Sequence, residues 1–333
     1  MARIKNITIK DVAAHAGVSV GTVSRVLAKN QTVKKALFDR VNASIVELGF
    51  KPNLAARAMR AKHVNVVGLI VPDITNPFFA QLANELERFS SDHNHALILA
   101  SSRNQWQHEA LQLQAILEHK PKAVLIVPSD ENRSIDVPDD TLVLALDRNV
   151  DGIGSICTDQ MASAALALDH LIELGHRKIL YIAGPENTAT ARQRKDGFCA
   201  RVNELKDQGV DIDLRVTGGA FSFESGDQIA REVLSQPNPP TAIATASDQQ
   251  AIGVIRAARD IGVVVPQQLS VIGFDDIALA DIVVPRLTTI RQPVADIAKC
   301  AIDRLFDDTP ADSDALFMGE LIVRRTTAVV SKA

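Results

Sequence analysis

The chain has 333 residues, 46% hydrophobic and 23% charged, with a net charge of −4. That length predicts more than one domain and a substantial core, and the composition is that of an ordinary soluble globular protein. No stretch approaches the roughly 20 apolar residues of a membrane span, and the N-terminus lacks the apolar core and cleavage site of a signal peptide. Cys157, Cys199 and Cys300 are odd in number, far apart and without a Cys-x-x-Cys pair. They read as reduced, mostly buried thiols of a cytoplasmic protein.

Residues 8 to 27 read as a helix-turn-helix. Thr8 caps a first helix with Asp11 three residues on, and Ile9, Val12, Ala13 and Ala16 share one face of it. Gly17 supplies the left-handed residue that ends that helix, Val18 plugs the turn, and Ser19 caps a second helix. Val23, Val26 and Leu27 then face inward, leaving Val20, Gly21, Ser24 and Arg25 outward, as on a helix offered to a major groove. A third helix carries Leu37, Val41, Ile45 and Leu48 inward and ends at Gly49. The first 62 residues hold twelve Lys and Arg against three acidic residues, about +9, so the remainder carries about −13. A basic head on an acidic body suits a polyanion bound at one end only.

Pro52 then breaks the chain, and Asn53 can cap a helix of about two turns that includes Ala56, Arg57 and Met59. So short a helix is marginal alone and is expected to order against a second subunit or DNA.

From Val64 the rhythm changes to strands alternating with helices. Apolar runs at 66–71, 97–99, 123–127 and 142–146 form one set, with helices at 79–94 and 109–119. A second set has strands at 179–183, 242–245 and 270–274 and helices near 160–174, 191–208, 224–235 and 248–261. Near-continuous apolar strands joined by helices predict parallel sheets covered on both faces, and two such sets predict two lobes. Ligands of such sheets bind beyond the carboxyl ends of the strands.

At those ends stand Asp73, Asn76, Phe78 and Phe79 after the first strand and Asp147 and Arg148 after Leu146. Ser247 and Asp248 follow Thr245, and Asp275 and Asp276 follow Phe274. Arg192 and Arg194 open a helix after the Ala183-Gly184-Pro185 turn. Aromatic faces take the C–H faces of a sugar ring, Asp accepts hydroxyl protons, and Arg donates in a planar fork. Asp248 reads equally well as a helix cap.

The chain resembles the LacI/GalR family of bacterial transcription regulators from about Thr8 to Thr326. The resemblance rests on Val18-Ser19-x-x-Thr22-Val23-Ser24-Arg25-Val26, Pro52-Asn53-x-x-Ala56-Arg57, Gly175-His176-Arg177-Lys178-Ile179, Ile272-Gly273-Phe274-Asp275-Asp276 and Leu287-Thr288-Thr289-Ile290. It implies an α/β protein with a helix-turn-helix head (1–50), a hinge helix and linker (51–63) and a body (64–333) shaped like periplasmic sugar-binding proteins. It places lobe 1 at about 64–158 plus 293–319 and lobe 2 at about 159–292 plus 320–330. It also implies a homodimeric repressor on pseudo-palindromic operator DNA, with a small-molecule effector between the lobes. No cofactor is expected, and the Asp275-Asp276 pair lacks nearby His and Cys ligands for a metal, so Asp275 reads better as a sugar carboxylate. The absence of a terminal leucine heptad after Arg325 points to a dimer rather than a tetramer.

Carried over by position, Val20, Gly21 and Arg25 fall at base-reading places. Thr8, Ser19, Thr22 and Ser24 fall at phosphate-contacting ones. Met59 stands where the family usually has the Leu levered into the minor groove, and Ala28 where many members have Asn. The body's site resembles that of periplasmic ribose-binding proteins: Asn76, Phe78, Phe79, Asp147, Arg148, Arg194, Asp275 and Gln292 match, while Ser247 replaces an Asn. Phe221 is a further candidate for the same site. The effector so implied is a small sugar or sugar acid; a purine or nucleoside stacked on Phe78, Phe79 and Phe221 is the alternative. A sugar-binding protein without a regulatory role would share the body but not the basic head. Catalysis lacks its parts: there is no Gly-x-Ser-x-Gly, phosphate-binding loop or His-Glu-x-x-His, and Gly152-Ile153-Gly154 lacks the rest of a dinucleotide fingerprint.

Overall fold

Three short helices cannot each bury a face alone, and in the head they do so against one another. In the computed structural model, which describes residues 7–27, 33–50, 65–138, 141–307 and 313–330, these are α1 (Ile9–Ala16), α2 (Val20–Leu27) and α3 (Lys35–Leu48). Val12, Ala13, Ala16, Val23, Val26, Val41 and Phe50 form their common core, with Phe38 rather than the expected Leu37 packed against it. The Asp11 carboxylate accepts from both the Thr8 backbone N–H and the Thr8 hydroxyl, each at 2.7 Å, so it closes the first turn. Gly17 ends α1 at φ 62°, a backbone that costs a residue with a Cβ about 1 kcal/mol or more. The expected hinge, with Asn53, Ala56, Arg57 and Met59, and Ala28 lie outside the described residues.

Two compact units divide the chain, Met1–Val64 and Asn65–Ala333. The second holds two six-stranded sheets. In the first lobe β1 (Val66–Val71), β2 (Ala96–Ser101), β3 (Ala123–Ile126), β4 (Leu142–Leu146), β5 (Ser155–Thr158) and β11 (Ala315–Phe317) lie in the order β11-β5-β4-β3-β1-β2. All its pairings are parallel. The second lobe orders β12-β10-β9-β8-β6-β7, from β6 (Lys178–Ala183), β7 (Asp213–Gly218), β8 (Ala242–Thr245), β9 (Ser270–Asp275), β10 (Thr288–Arg291) and β12 (Glu320–Ile322). Only β12, beside β10, is antiparallel.

Helices α4 (Pro77–Asp92) and α5 (Trp106–Leu117) cover the first sheet. The second lobe has α6 (Gln160–Glu173), α7 (Ala189–Asp207), α8 (Phe223–Leu234) and α9 (Asp248–Asp260), and α10 (Val294–Phe306) follows the crossover back to the first. Each sheet thus reverses its strand order once, between β1 and β3 and between β6 and β8. Such switch points leave a crevice beyond the strand ends. The loops there carry residues 72–79 and 127–131 in one lobe and 184–194 and 246–248 in the other.

Candidate functional site

In the head, Val20 is 40% exposed, and Thr8, Ser19, Gly21, Ser24 and Arg25 are exposed with Thr22 half-buried. Ser19 accepts the Thr22 backbone N–H at 3.2 Å, and the two hydroxyls lie 3.0 Å apart. Arg25 Nε donates to Gly21 O at 3.3 Å. One exposed helix face therefore presents a single guanidinium among small side chains.

In the body, Asn76, Phe78, Phe79, Asp147 and Arg148 of the first lobe and Thr190, Arg194, Phe221 and Asp275 of the second line one cavity of about 40 Å3. That is little more than the roughly 30 Å3 share of a single water, so a sugar enters only if these walls separate. Asn76 accepts the Phe78 N–H at 3.0 Å and caps α4, with Pro77 at its first position. This fixes Phe78 and Phe79 edge to face, 5.2 Å apart.

Asp147, Arg194 and Asp275, which share the cavity with these aromatics, belong to a larger ring of buried polar groups. Arg194 Nη1 lies 3.0 Å from Asp275 Oδ1 and donates to Ala246 O at 2.6 Å, while its Nε donates to Gln160 Oε1 at 2.7 Å. Gln160 Nε2 donates to Gln292 Oε1 at 3.2 Å and to Asp147 Oδ1 at 3.5 Å. Gln292 closes the ring by donating to Asp275 Oδ1 at 2.8 Å. The Arg194 guanidinium also lies 3.8 Å over the Phe274 ring, which fixes its plane. Burial pushes Asp147 up and Asp275 up to about 6, against the opposing pull of nearby arginines. Asp147 and Asp275 hold φ of 62° and 117°, backbone that favours glycine, and such strain is concentrated where function requires a fixed carboxylate.

Arg148 donates to Asn104 Oδ1 at 3.1 Å and Pro128 O at 2.9 Å. Its buried Nε has no hydrogen-bond partner and lies 3.9 Å from Asp147 Oδ2. Two expected residues stand elsewhere. Asp73 is exposed and folds back on the N–H and hydroxyl of Thr75 at 2.8 and 2.7 Å, so it shapes a turn. Ser247 is buried, and its hydroxyl caps α9 by accepting the Gln250 N–H at 3.4 Å. Asp248 is fully buried and acts as a brace: it accepts from Ile277 N–H at 2.9 Å and Thr289 Oγ1 at 2.5 Å. Asp276 pairs with Arg291 and Arg324, both at 2.7 Å. His176 bridges Thr241 and Ser270, both at 2.9 Å, which accounts structurally for the Gly-His-Arg-Lys-Ile motif.

Gln160, at the centre of the ring, and Thr190, on its wall, went unread in the sequence. The signal for Gln160 was its place two residues after a strand, but that strand, β5, has only four residues.

A basic helix-turn-helix and a two-lobed body with a polar, aromatic-walled crevice define a DNA-binding regulator with a ligand-binding core. Residues 8–53 match the lacI family of bacterial regulatory proteins, and residues 168–327 match the periplasmic binding protein-like domain. The chain belongs to the lacI family. It is 33% identical over 329 residues to the ribose operon repressor of Halalkalibacterium halodurans, covering 96% of this chain and 97% of that one. Identity to the ribose operon repressor of Escherichia coli (strain K12) is 34% over 308 residues, 90% and 92% of the two chains. A lac repressor dimer bound to operator and the anti-inducer ONPF superposes with a TM-score of 0.84 at 26% identity, covering 97% of this chain and all of that one. A LacI transcriptional regulator from Alkaliphilus metalliredigens complexed with D-xylulofuranose gives 0.67 at 28% identity, covering 79% and 99%.

Proposed function

We propose that two copies of this chain bind pseudo-palindromic operator DNA and repress transcription, under control of a monosaccharide held between the lobes. The head supplies one base-reading guanidinium, Arg25, able to make a bidentate contact to guanine, with Val20 for apolar contact. Ser19, Thr22, Ser24 and Thr8 supply hydroxyls for phosphates. Residues 51–63 would carry the coupling, with Asn53, Ala56 and Arg57 at the backbone and Met59 as an apolar wedge in the minor groove.

The observation that carries the effector reading is the buried Arg194–Asp275–Gln292–Gln160–Asp147 ring, of which Arg194, Asp275 and Asp147 line one cavity with Phe78 and Phe79. Arg194, Asp275 and Asp147, at the cavity wall, can each exchange an internal contact for one to a hydroxyl, which both donates and accepts. Full-length similarity to ribose operon repressors makes D-ribose the first candidate. The same ring argues against catalysis, since it sets no nucleophile beside a base. A cytoplasmic location follows from the operator as partner. No described helix is long and apolar enough to cross a membrane.

Isothermal calorimetry with D-ribose, other pentoses, hexoses, sugar acids and purine nucleosides tests the reading. It expects saturable binding of a monosaccharide, lost in Arg194→Ala. Binding of nucleosides alone would replace the sugar with a base stacked on Phe78, Phe79 and Phe221.

A further inference from the structure

Beside the effector cavity, and sharing Arg148 with it, a cleft of about 400 Å3 opens between Asn104–Gln107 and Pro128–Asn132 of the first lobe and Asn187–Ala189 and Arg192 of the second. Across this mouth Glu131 and Arg192 form an ion pair. Among the described residues no other ion pair joins the two lobes.

Each partner is held from its own side. The Glu131 loop is anchored at Ser129, whose backbone N–H donates to the buried Glu109 carboxylate at 2.6 Å and whose hydroxyl donates to Ser102 Oγ at 2.8 Å. One residue beyond Ser129, Asp130 pairs with Arg133 at 3.2 Å, and the Arg133 guanidinium lies 4.0 Å over the Trp106 ring. On the other side Arg192 Nη1 donates to Glu186 O at 2.7 Å, and Arg192 stands two residues before Arg194 on α7. Pre-aimed partners lose little side-chain freedom on meeting, so more of their attraction remains as net stabilisation.

We infer that Glu131 and Arg192 are a latch over the effector site, positioning residues that bias the lobes towards closure without touching the effector. The inference rests on the reading of the cleft as the effector site. Glu131 is 26% and Arg192 39% exposed, which places the pair among partly solvated ion pairs. Such pairs shift an equilibrium by roughly two- to fivefold and weaken as salt rises. A neutral sugar contributes no charge of its own, so the part of its affinity's salt sensitivity that Glu131→Gln removes reports the latch.

The test measures D-ribose binding by calorimetry at low and high salt, together with the distance between spin labels placed on α5 and α7 without sugar. In Glu131→Gln, D-ribose is expected to bind roughly two- to fivefold more weakly with weaker salt dependence. The label distances should move to longer values, and the double variant Glu131→Arg, Arg192→Glu should restore both. Unchanged affinity, salt dependence and label distance in Glu131→Gln would overturn the latch. If wild-type protein does not bind D-ribose, ribose is removed as the effector, and binding of no monosaccharide fails the effector reading, while the label distances still judge the latch: an unchanged distribution refutes it and a lengthened one supports it.

Discussion

At the scale of single residues, the body's chemistry depends on buried groups that must find partners. Gln160 is 2% exposed and spends both ends of its amide on Arg194, Gln292 and Asp147. Replacing it with Leu strands the Arg194 Nε and the Gln292 carbonyl, and an unmet buried polar group costs about 1–3 kcal/mol. Gln160→Leu is therefore expected to weaken sugar binding by roughly ten- to a hundredfold by calorimetry while leaving operator binding in place. In the head, Arg25→Ala should narrow the preference for operator over random duplex by about 1–3 kcal/mol, read by fluorescence anisotropy. Weak, salt-sensitive binding should persist in that variant.

Asp275 adds a pH dependence with a definite sign. Burial raises its carboxyl to about 6 in the folded protein, against about 3.9 in an unfolded chain. Between these values the folded state holds the extra proton, so this residue's contribution to stability falls as pH rises across that window. Sugar binding runs the other way. The ionised carboxylate is the acceptor that pairs with Arg194, so affinity is expected to rise with pH through about 6 and level off above it. Calorimetric titrations from pH 5 to 8 check this, and a flat profile would remove Asp275 from the acceptor role.

At the scale of elements, most of the fold was legible because buried parallel strands are apolar runs and their covering helices are periodic. β1, β4 and β8 lie at 66–71, 142–146 and 242–245 as expected. Two of those that escaped notice have a common cause. β7 is an edge strand with the half-exposed sequence Asp-Leu-Arg-Val-Thr-Gly, and β5 is four residues of mixed polarity. Neither shows the apolar run that marks a strand buried on both faces. Missing β5 hid Gln160 as a residue beyond a strand end. Asp73 misled for the opposite reason: it follows a strand, but its short side chain reaches Thr75 first, as Asp in turns commonly does.

The end of β9 is set by close packing between elements. A Cβ on Gly273 would stand 2.1 Å from Asp248 Oδ1, the atom that accepts from Thr289. Gly273→Ala forces that brace aside, and overpacking of this kind costs about 1–3 kcal/mol. Chemical denaturation should show the loss, with effector affinity falling too because the 275–277 loop hangs from Asp248.

At the scale of the whole molecule, the charge asymmetry, the helix-turn-helix spacing and the two strand sets sufficed to read a DNA-binding head on a two-lobed body. How the strand-end side chains partner one another was not legible, because it depends on contacts between residues more than a hundred positions apart, such as Gln160 with Gln292. The ring of mutual bonds and the narrow cavity together imply that the lobes part to admit the sugar and close again over it. A regulator of this design works only if that movement reaches DNA.

The most direct test is an anisotropy titration of an operator duplex, selected from a random pool, against the whole protein with and without saturating sugar. The wild type is predicted to change its operator affinity by roughly 5- to 150-fold, the usual span of allosteric coupling, and Arg194→Ala is predicted to change it not at all. An identical response in both proteins, or no response of the wild type to any sugar that calorimetry shows to bind, would contradict control of the head from this cleft.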